Sequence, residues 1–308
     1  MSFVQAHTAL FNDDRFRHHS VHGRYGDNLE EMDWSVGEVL TSLKKLDLEG
    51  NTLVYLTSDN GGHVEEFTDD GEREGGWNGI YKGGKGNTWE GGIRVPTIVK
   101  LPGVIPPGTV VSQPTHLPDV LPTVARVTGV KLPDDRLYDG LDLIPLLTNN
   151  GSGEVVHEFM FHYCGGFINA VRYTPKGGDA TYKVHYATSR LIPGVLGVLV
   201  CFDCYTCDCT GSSVDRHDPP LVYDLTSDPS ETSPLDNSDP RVLEIVRKVG
   251  EEVSRHRETI PKQHSLQFDV LQWLPRPWDR PRCGRFPFYS CTDPYLKQLK
   301  AMKKAEKK

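Results

Sequence analysis

The sequence predicts an α/β fold that gives way to a smaller α+β subdomain, and three observations carry that prediction. Apolar residues recur at three- and four-residue intervals over residues 27–48, a continuous β-prone run follows at once, and beyond Asn150 the pattern changes to short strands and one helix. A helix leading into a buried strand is the repeat of a parallel sheet, whereas strands collected ahead of a single helix suit a segregated α+β unit. At 308 residues the chain exceeds one typical domain. The expected division is 1–150 for the α/β part, 151–275 for the α+β subdomain, and 276–308 for a Pro- and Cys-containing segment with a Lys-rich tail.

In the first helix Leu29, Met32, Val36, Val39, Leu40, Leu43 and Leu46 share one face, with Asp27 placed to cap and Gly50 to stop. Residues 52–57 have the unbroken apolar character of a strand buried on both faces of a parallel sheet. That strand ends in Ser58-Asp59-Asn60-Gly61-Gly62-His63, a polar turn at the strand's carboxyl end, where open α/β sheets bind ligands. Residues 72–92 are rich in Gly, Asn, Lys and Trp without periodicity, which predicts a long ordered loop over the same edge. Residues 93–101 return as a strand, and 117–127 form a helix opened by Pro118 and closed by Gly129. Further on, 155–163, 170–173, 182–188 and 220–225 are the expected strands. Asp239-Pro240 then starts a helix with Val242, Ile245, Val246, Val249 and Val253 inward.

The net charge of −8 gives no general attraction to nucleic acid or to anionic membrane surfaces, so an anionic substrate needs a local positive site. The longest apolar stretch, 191–202, is broken by Pro193, Gly194 and Gly197 and is shorter than the roughly 20 residues of a membrane-spanning helix. Residues 1–7 have neither a basic n-region nor an apolar h-region of a signal peptide. Cys201, Cys204, Cys207 and Cys209 crowd one stretch, while Cys164, Cys283 and Cys291 stand apart. The C-x₂-C spacing suits zinc. Disulfides are the preferred reading, and the sequon Asn150-Gly151-Ser152 fits the same oxidising compartment.

Asp59 and Asn60 offer adjacent hard oxygen donors for calcium or magnesium. The ordinary alternative is a turn in which Asp and Asn satisfy their own backbone. His63 and His7 each follow a candidate strand, where a histidine is more often hydrogen-bonded locally than a ligand, and His63 ranks below its neighbours. Lys85 stands among Gly83, Gly84 and Gly86, so its ammonium can reach into a cleft while the backbone passes close to a ligand. Taken together, His7, Asp59, Asn60 and Lys85 supply metal ligands, a proton donor and a fixed cation, the parts needed to cleave an anionic ester.

The runs HTALF, YGDNLEEMDWSVG, TSDNGGHVEE, NGIYKGGKGNTWEGGIRVP, DVLPTVARVTG and HDPPLVYDL resemble those of sulfatases, in the steryl-sulfatase and arylsulfatase branch, over nearly the whole chain. Residues 82–96 are the most specific of them. The resemblance implies an alkaline-phosphatase-like sulfatase sheet, present here only as its carboxy-terminal part, and hydrolysis of sulfate monoesters with Ca2+. It makes Asp59 and Asn60 calcium ligands, His7 the contact to the ester oxygen, and Lys85 the cation on the sulfate, with Arg94 structural. Asn60 stands where relatives carry Gln, and both side chains offer an amide oxygen. The implied partner is a small-molecule sulfate ester, whether steroid, aryl or carbohydrate. Membrane association is expected only through a segment outside this chain, and the location is the secretory pathway: endoplasmic reticulum, lysosome or extracellular space.

Sulfatases carry an upstream Cys-x-Pro-x-Arg motif, whose cysteine becomes formylglycine, and an Asp-Asp pair that completes the calcium site. No cysteine here begins such a motif. The chain is therefore expected to be a fragment that is inactive alone; the alternative is a sulfatase-fold binding or interaction protein without catalysis. A related phosphodiesterase or phosphatase fits residues 82–96 less well. The resemblance further implies the disulfides Cys164–Cys209, Cys201–Cys207 and Cys283–Cys291, with Cys204 unpaired. If the first half of the sheet is elsewhere, the apolar faces of 27–48 and 52–57 should be partly bare.

Overall fold

A computed structural model of the chain describes residues 1–7, 10–67, 74–149, 157–193, 199–201, 207 and 209–260. Helix α1 spans Gly23–Lys45, one turn earlier than Asp27 suggested. Asp27 is not its N-cap. The carboxylate is buried inside the first turns and accepts the backbone N–H groups of His18, His19 and Ser20 at 2.8, 3.0 and 2.7 Å, so it closes the preceding turn instead. Gly26 is required there, because a Cβ would lie 2.1 Å from Ser20 Oγ. The apolar stripe of α1 is as periodic as expected but largely uncovered: Val39 is 38% and Leu46 68% exposed, and only Gly26, Asp27 and Asn28 are buried.

Strand β1 (Val54–Thr57) pairs antiparallel with β2 (Thr97–Lys100), from Val54 opposite Lys100 to Thr57 opposite Thr97. The parallel, doubly buried strand is not what the described residues show. An unbroken apolar run reports a preference for burial and carries no information on strand direction. Here β1 has one described partner and is half-buried along its length. Between β1 and β2 a short helix α2 (Glu90–Ile93) interrupts the expected loop. After β2, a 3₁₀ turn at Leu117–Asp119 leads into α3 (Val120–Thr128), which Gly129 ends with φ 70°, the left-handed cap its position predicted. Helix α4 (Ile144–Thr148) places Leu143, Leu146 and Leu147 against Val99, Ile105 and Val111 in a small core.

The second half builds an antiparallel sheet covered by one helix. Strands β3 (Phe159–Cys164), β4 (Phe167–Tyr173), β5 (Tyr182–Ser189) and β8 (Val214–Asp224) form an antiparallel sheet in the order β3-β4-β5-β8. Between β5 and β8 in the chain, β6 (Leu191–Pro193) and β7 (Leu199–Cys201) make a separate ribbon. Strand β8 begins earlier than residue 220. Its register shifts between His185 and Ala187 of β5, so Pro219 and Pro220 fall in the irregularity, where a missing N–H breaks no ladder bond. Helix α5 (Pro240–Thr259) lays Val242, Ile245, Val249 and Val253 on the sheet, where Val171, Val184 and Val222 meet them fully buried.

Disulfides join Cys164 to Cys209 and Cys201 to Cys207, as the resemblance implied. Because the Cys201 and Cys207 sulfurs bind each other, they do not serve as zinc ligands here. Cys204, Cys283 and Cys291 lie outside the described residues. No described helix is long and apolar enough to cross a membrane.

Candidate functional site

The polar turn after β1 and the glycine-rich loop before α2 are laced together through their backbones. Gly61 N–H donates to Gly92 O at 3.0 Å, and Lys85 N–H donates to Gly62 O at 3.0 Å. The Asn78 side chain bridges them from one side, accepting Gly62 N–H at 2.8 Å and donating to Gly62 O at 3.0 Å and Gly83 O at 2.9 Å. Contacts this close leave no space for side chains: a Cβ on Gly61 would sit 1.8 Å from Gly91 O, and one on Gly84 2.6 Å from Gly62 O. The glycines of both motifs are thus a packing requirement that sets Asp59, Asn60 and Lys85 on one edge.

Lys85, half-buried, points its ammonium at His7, with Nζ 3.1 Å from Nε2. Two residues 78 positions apart therefore meet at the turn, as the sequence reading required of a shared site. Asp59 is exposed and Asn60 half-buried, with Ser58 Oγ donating to the Asn60 carbonyl at 3.1 Å. Their carboxylate and amide oxygens fit calcium in kind, but they are two donors where calcium takes six to eight. His63 has local partners, lying 3.0 Å from Glu66 Oε1 and 3.4 Å from Glu65 Oε2.

The other half of the 82–96 stretch turns away from this edge and anchors it. Glu90, fully buried, pairs with Arg172 and with Lys183 at 3.0 Å. Its N–H donates to Glu231 Oε2 at 2.6 Å, and Glu231 in turn lies 3.3 Å from Lys183 and 2.7 Å from His185 Nε2. Burial disfavours ionisation of Glu90, yet Lys183 and Arg172 outweigh it and hold the carboxyl at about 2. For His185 burial dominates, and the imidazole falls to about 4 despite Glu231, so at neutral pH it donates one proton from Nε2. Lys82 stacks its ammonium 3.7 Å from the centre of the Trp89 ring and donates to Glu231 O at 3.3 Å. Arg94, expected to be structural, pairs with Glu90 at 3.7 Å and stacks over Tyr81.

Sequence reasoning missed this network, since its members come from four distant segments. The one available signal was Lys183 and His185 flanking Val184 in a run otherwise destined for the core. It also missed His116, Asp119 and His157, whose donor atoms lie within 4.8 Å of one another.

Comparison with known proteins gives a consistent result. The family model for sulfatases matches residues 1–130, and that for the C-terminal region of aryl-sulfatase matches 155–292. The chain is 48% identical over 280 residues to steryl-sulfatase of Rattus norvegicus, covering 90% of this chain and 48% of that protein. To arylsulfatase D of Homo sapiens it is 45% identical over 295 residues, covering 95% and 49%. Among solved structures, the PsFucS1 sulfatase from Pseudoalteromonas sp. matches with a TM-score of 0.68 at 24% identity, covering 84% of this chain and 48% of that one, a likeness of fold. The chain spans about half the length of the curated relatives it matches.

Proposed function

Because the chain belongs to the sulfatase family, we propose that it supplies one wall of a site that hydrolyses sulfate monoesters. The observation that carries the reading is the contact of Lys85 with His7 beside the Asp59–Asn60 turn. In it, the Lys85 ammonium pairs with the sulfate oxygens and withdraws from His7, whose Nε2 then turns to contact the ester oxygen. Asp59 and Asn60 would be two of the ligands of Ca2+, which when bound neutralises charge on the sulfate. The Glu90–Lys183–Glu231 network holds the loop that presents Lys85, and so acts through position. A nucleophile completes the site, and we assign it to a Cys-x-Pro-x-Arg segment, which none of the seven cysteines here begins.

We further propose a boundary near residue 150 between the site-bearing part and the C-terminal sheet, and a secretory-pathway location in keeping with the two disulfides. Aryl sulfate turnover tests the reading. The 308 residues alone should show none, and co-expression with the upstream half of steryl-sulfatase of Rattus norvegicus should restore it. A soluble, complemented protein without turnover would favour the non-catalytic alternative, and turnover by the isolated chain would refute the missing-nucleophile argument.

A further inference from the structure

A second cluster of metal-compatible side chains stands at the start of α3. Asp119 Oδ1 lies 3.2 Å from His116 Nε2 and 2.8 Å from His157 Nε2. The same oxygen accepts Leu141 N–H at 2.8 Å, while Oδ2 accepts His116 N–H at 2.8 Å. Oδ1 meets Leu141 N–H and His157 Nε2, while His116 Nε2 has the Asp139 carbonyl as another acceptor at 3.2 Å, so the three side chains converge on one point. A cation in place of the ring protons would be held by both ring nitrogens and the oxygen as electron-pair donors.

Tetrahedral zinc with nitrogen and oxygen ligands at about 2.0–2.2 Å sets neighbouring donor atoms about 3.3–3.6 Å apart, so the separations of 3.2 and 2.8 Å seen here need to open by only a few tenths of an ångström to about 0.8 Å to admit it. The Asp139 carbonyl oxygen, 3.2 Å from His116 Nε2, adds a further donor on that side. The Asp119 side chain is fully buried and that of His157 is 6% exposed, whereas that of His116 is 25% exposed and gives an entry from solvent. Two imidazoles select a borderline transition metal and are poor ligands for calcium, so this site differs chemically from the Asp59–Asn60 oxygens.

We propose that His116, Asp119 and His157 bind one divalent ion of the zinc class, which fastens the start of α3 to the entry of the C-terminal sheet. The proposal is independent of the sulfate-ester reading, and its readout is metal content. The full chain, co-expressed with the upstream half of the relative, is stripped with chelator, given zinc chloride, dialysed and analysed for metal, then repeated with cobalt chloride for its visible absorption. The expected result is one zinc per chain beyond that of a His116→Ala variant, a tetrahedral cobalt spectrum, and a rise in Tm on adding zinc that the His116→Ala variant lacks. His157→Asn should lose the same ion, with circular dichroism verifying that both variants fold. A double variant His19→Ala/His22→Ala, which removes exposed histidines elsewhere, should keep it. Retention of the zinc by His116→Ala and His157→Asn, or its loss from the double variant, would overturn the proposal.

Discussion

The two halves of the molecule reach opposite degrees of completion. In the C-terminal layer Val171, Val184, Val222 and Val249 are fully buried between the sheet and α5, and two disulfides join the sheet and its ribbon to the cysteine-rich segment. In the first half, α1 and the β1–β2 pair display the same kinds of residue to solvent, with Leu46 68% and Ile98 65% exposed. Yet that uncovered half carries His7, Asp59, Asn60 and Lys85. The difference teaches that the candidate site rests on a scaffold whose order is borrowed: its loop is tied by Glu90 to the buried layer, while its apolar faces stay open to solvent.

Cutting that tie should have the largest effect on stability. Glu231→Ala leaves Lys183 buried with one carboxylate and His185 without an acceptor, and loss of one member of such a cluster costs about 3–5 kcal/mol. Chemical denaturation should show a midpoint shift of that size, and a loss under 1 kcal/mol would mean the network is not the link. Next comes the Cys164–Cys209 bridge, which spans 45 residues and contributes about 4 kcal/mol by chain entropy, against about 2 for the bridge spanning 6. Cys164→Ser should therefore lower Tm more than Cys201→Ser.

Acid should separate the two halves. His185 has a folded value of about 4 against the ordinary 6.5, so the unfolded chain takes up its proton first and stability falls as pH drops from about 6.5 towards 4. Glu90, at about 2 against 4.5, gives stability that is complete above about 4.5 and lost as pH falls towards 2. Amide exchange in residues 82–96 should rise across the first window while α5 stays protected; simultaneous loss of both would erase the distinction. The smallest effect belongs to the bare face: Leu46→Gln should change stability by less than about 0.5 kcal/mol yet reduce aggregation, as followed by light scattering.

Much of this was legible in the sequence because local rules suffice for it. The buried stripe of α5, the Gly129 stop and the glycine spacing around Lys85 follow from period and backbone freedom, and they came out as read. The meeting of His7 with Lys85 was legible as complementary chemistry. The direction of β1 was not, since burial preference is blind to pairing. Asp27 misled because a good capping residue serves any turn whose N–H groups face it. The Glu90–Lys183–Glu231–His185 cluster left only the trace of Lys183 and His185 flanking Val184, because charges in a strand read as solvent-facing until distant segments close over them.

The central claim is that Lys85 acts on the sulfate, and it is best tested by the kcat of the complemented enzyme on an aryl sulfate after Lys85→Ala. Removal of a preorganised charge from the reacting group should lower kcat by roughly 10²–10³, with the Tm within 2–3 °C of the parent expected for a surface-edge change. Undiminished kcat in a folded Lys85→Ala protein would contradict the assignment and leave the His7–Lys85 contact a structural one.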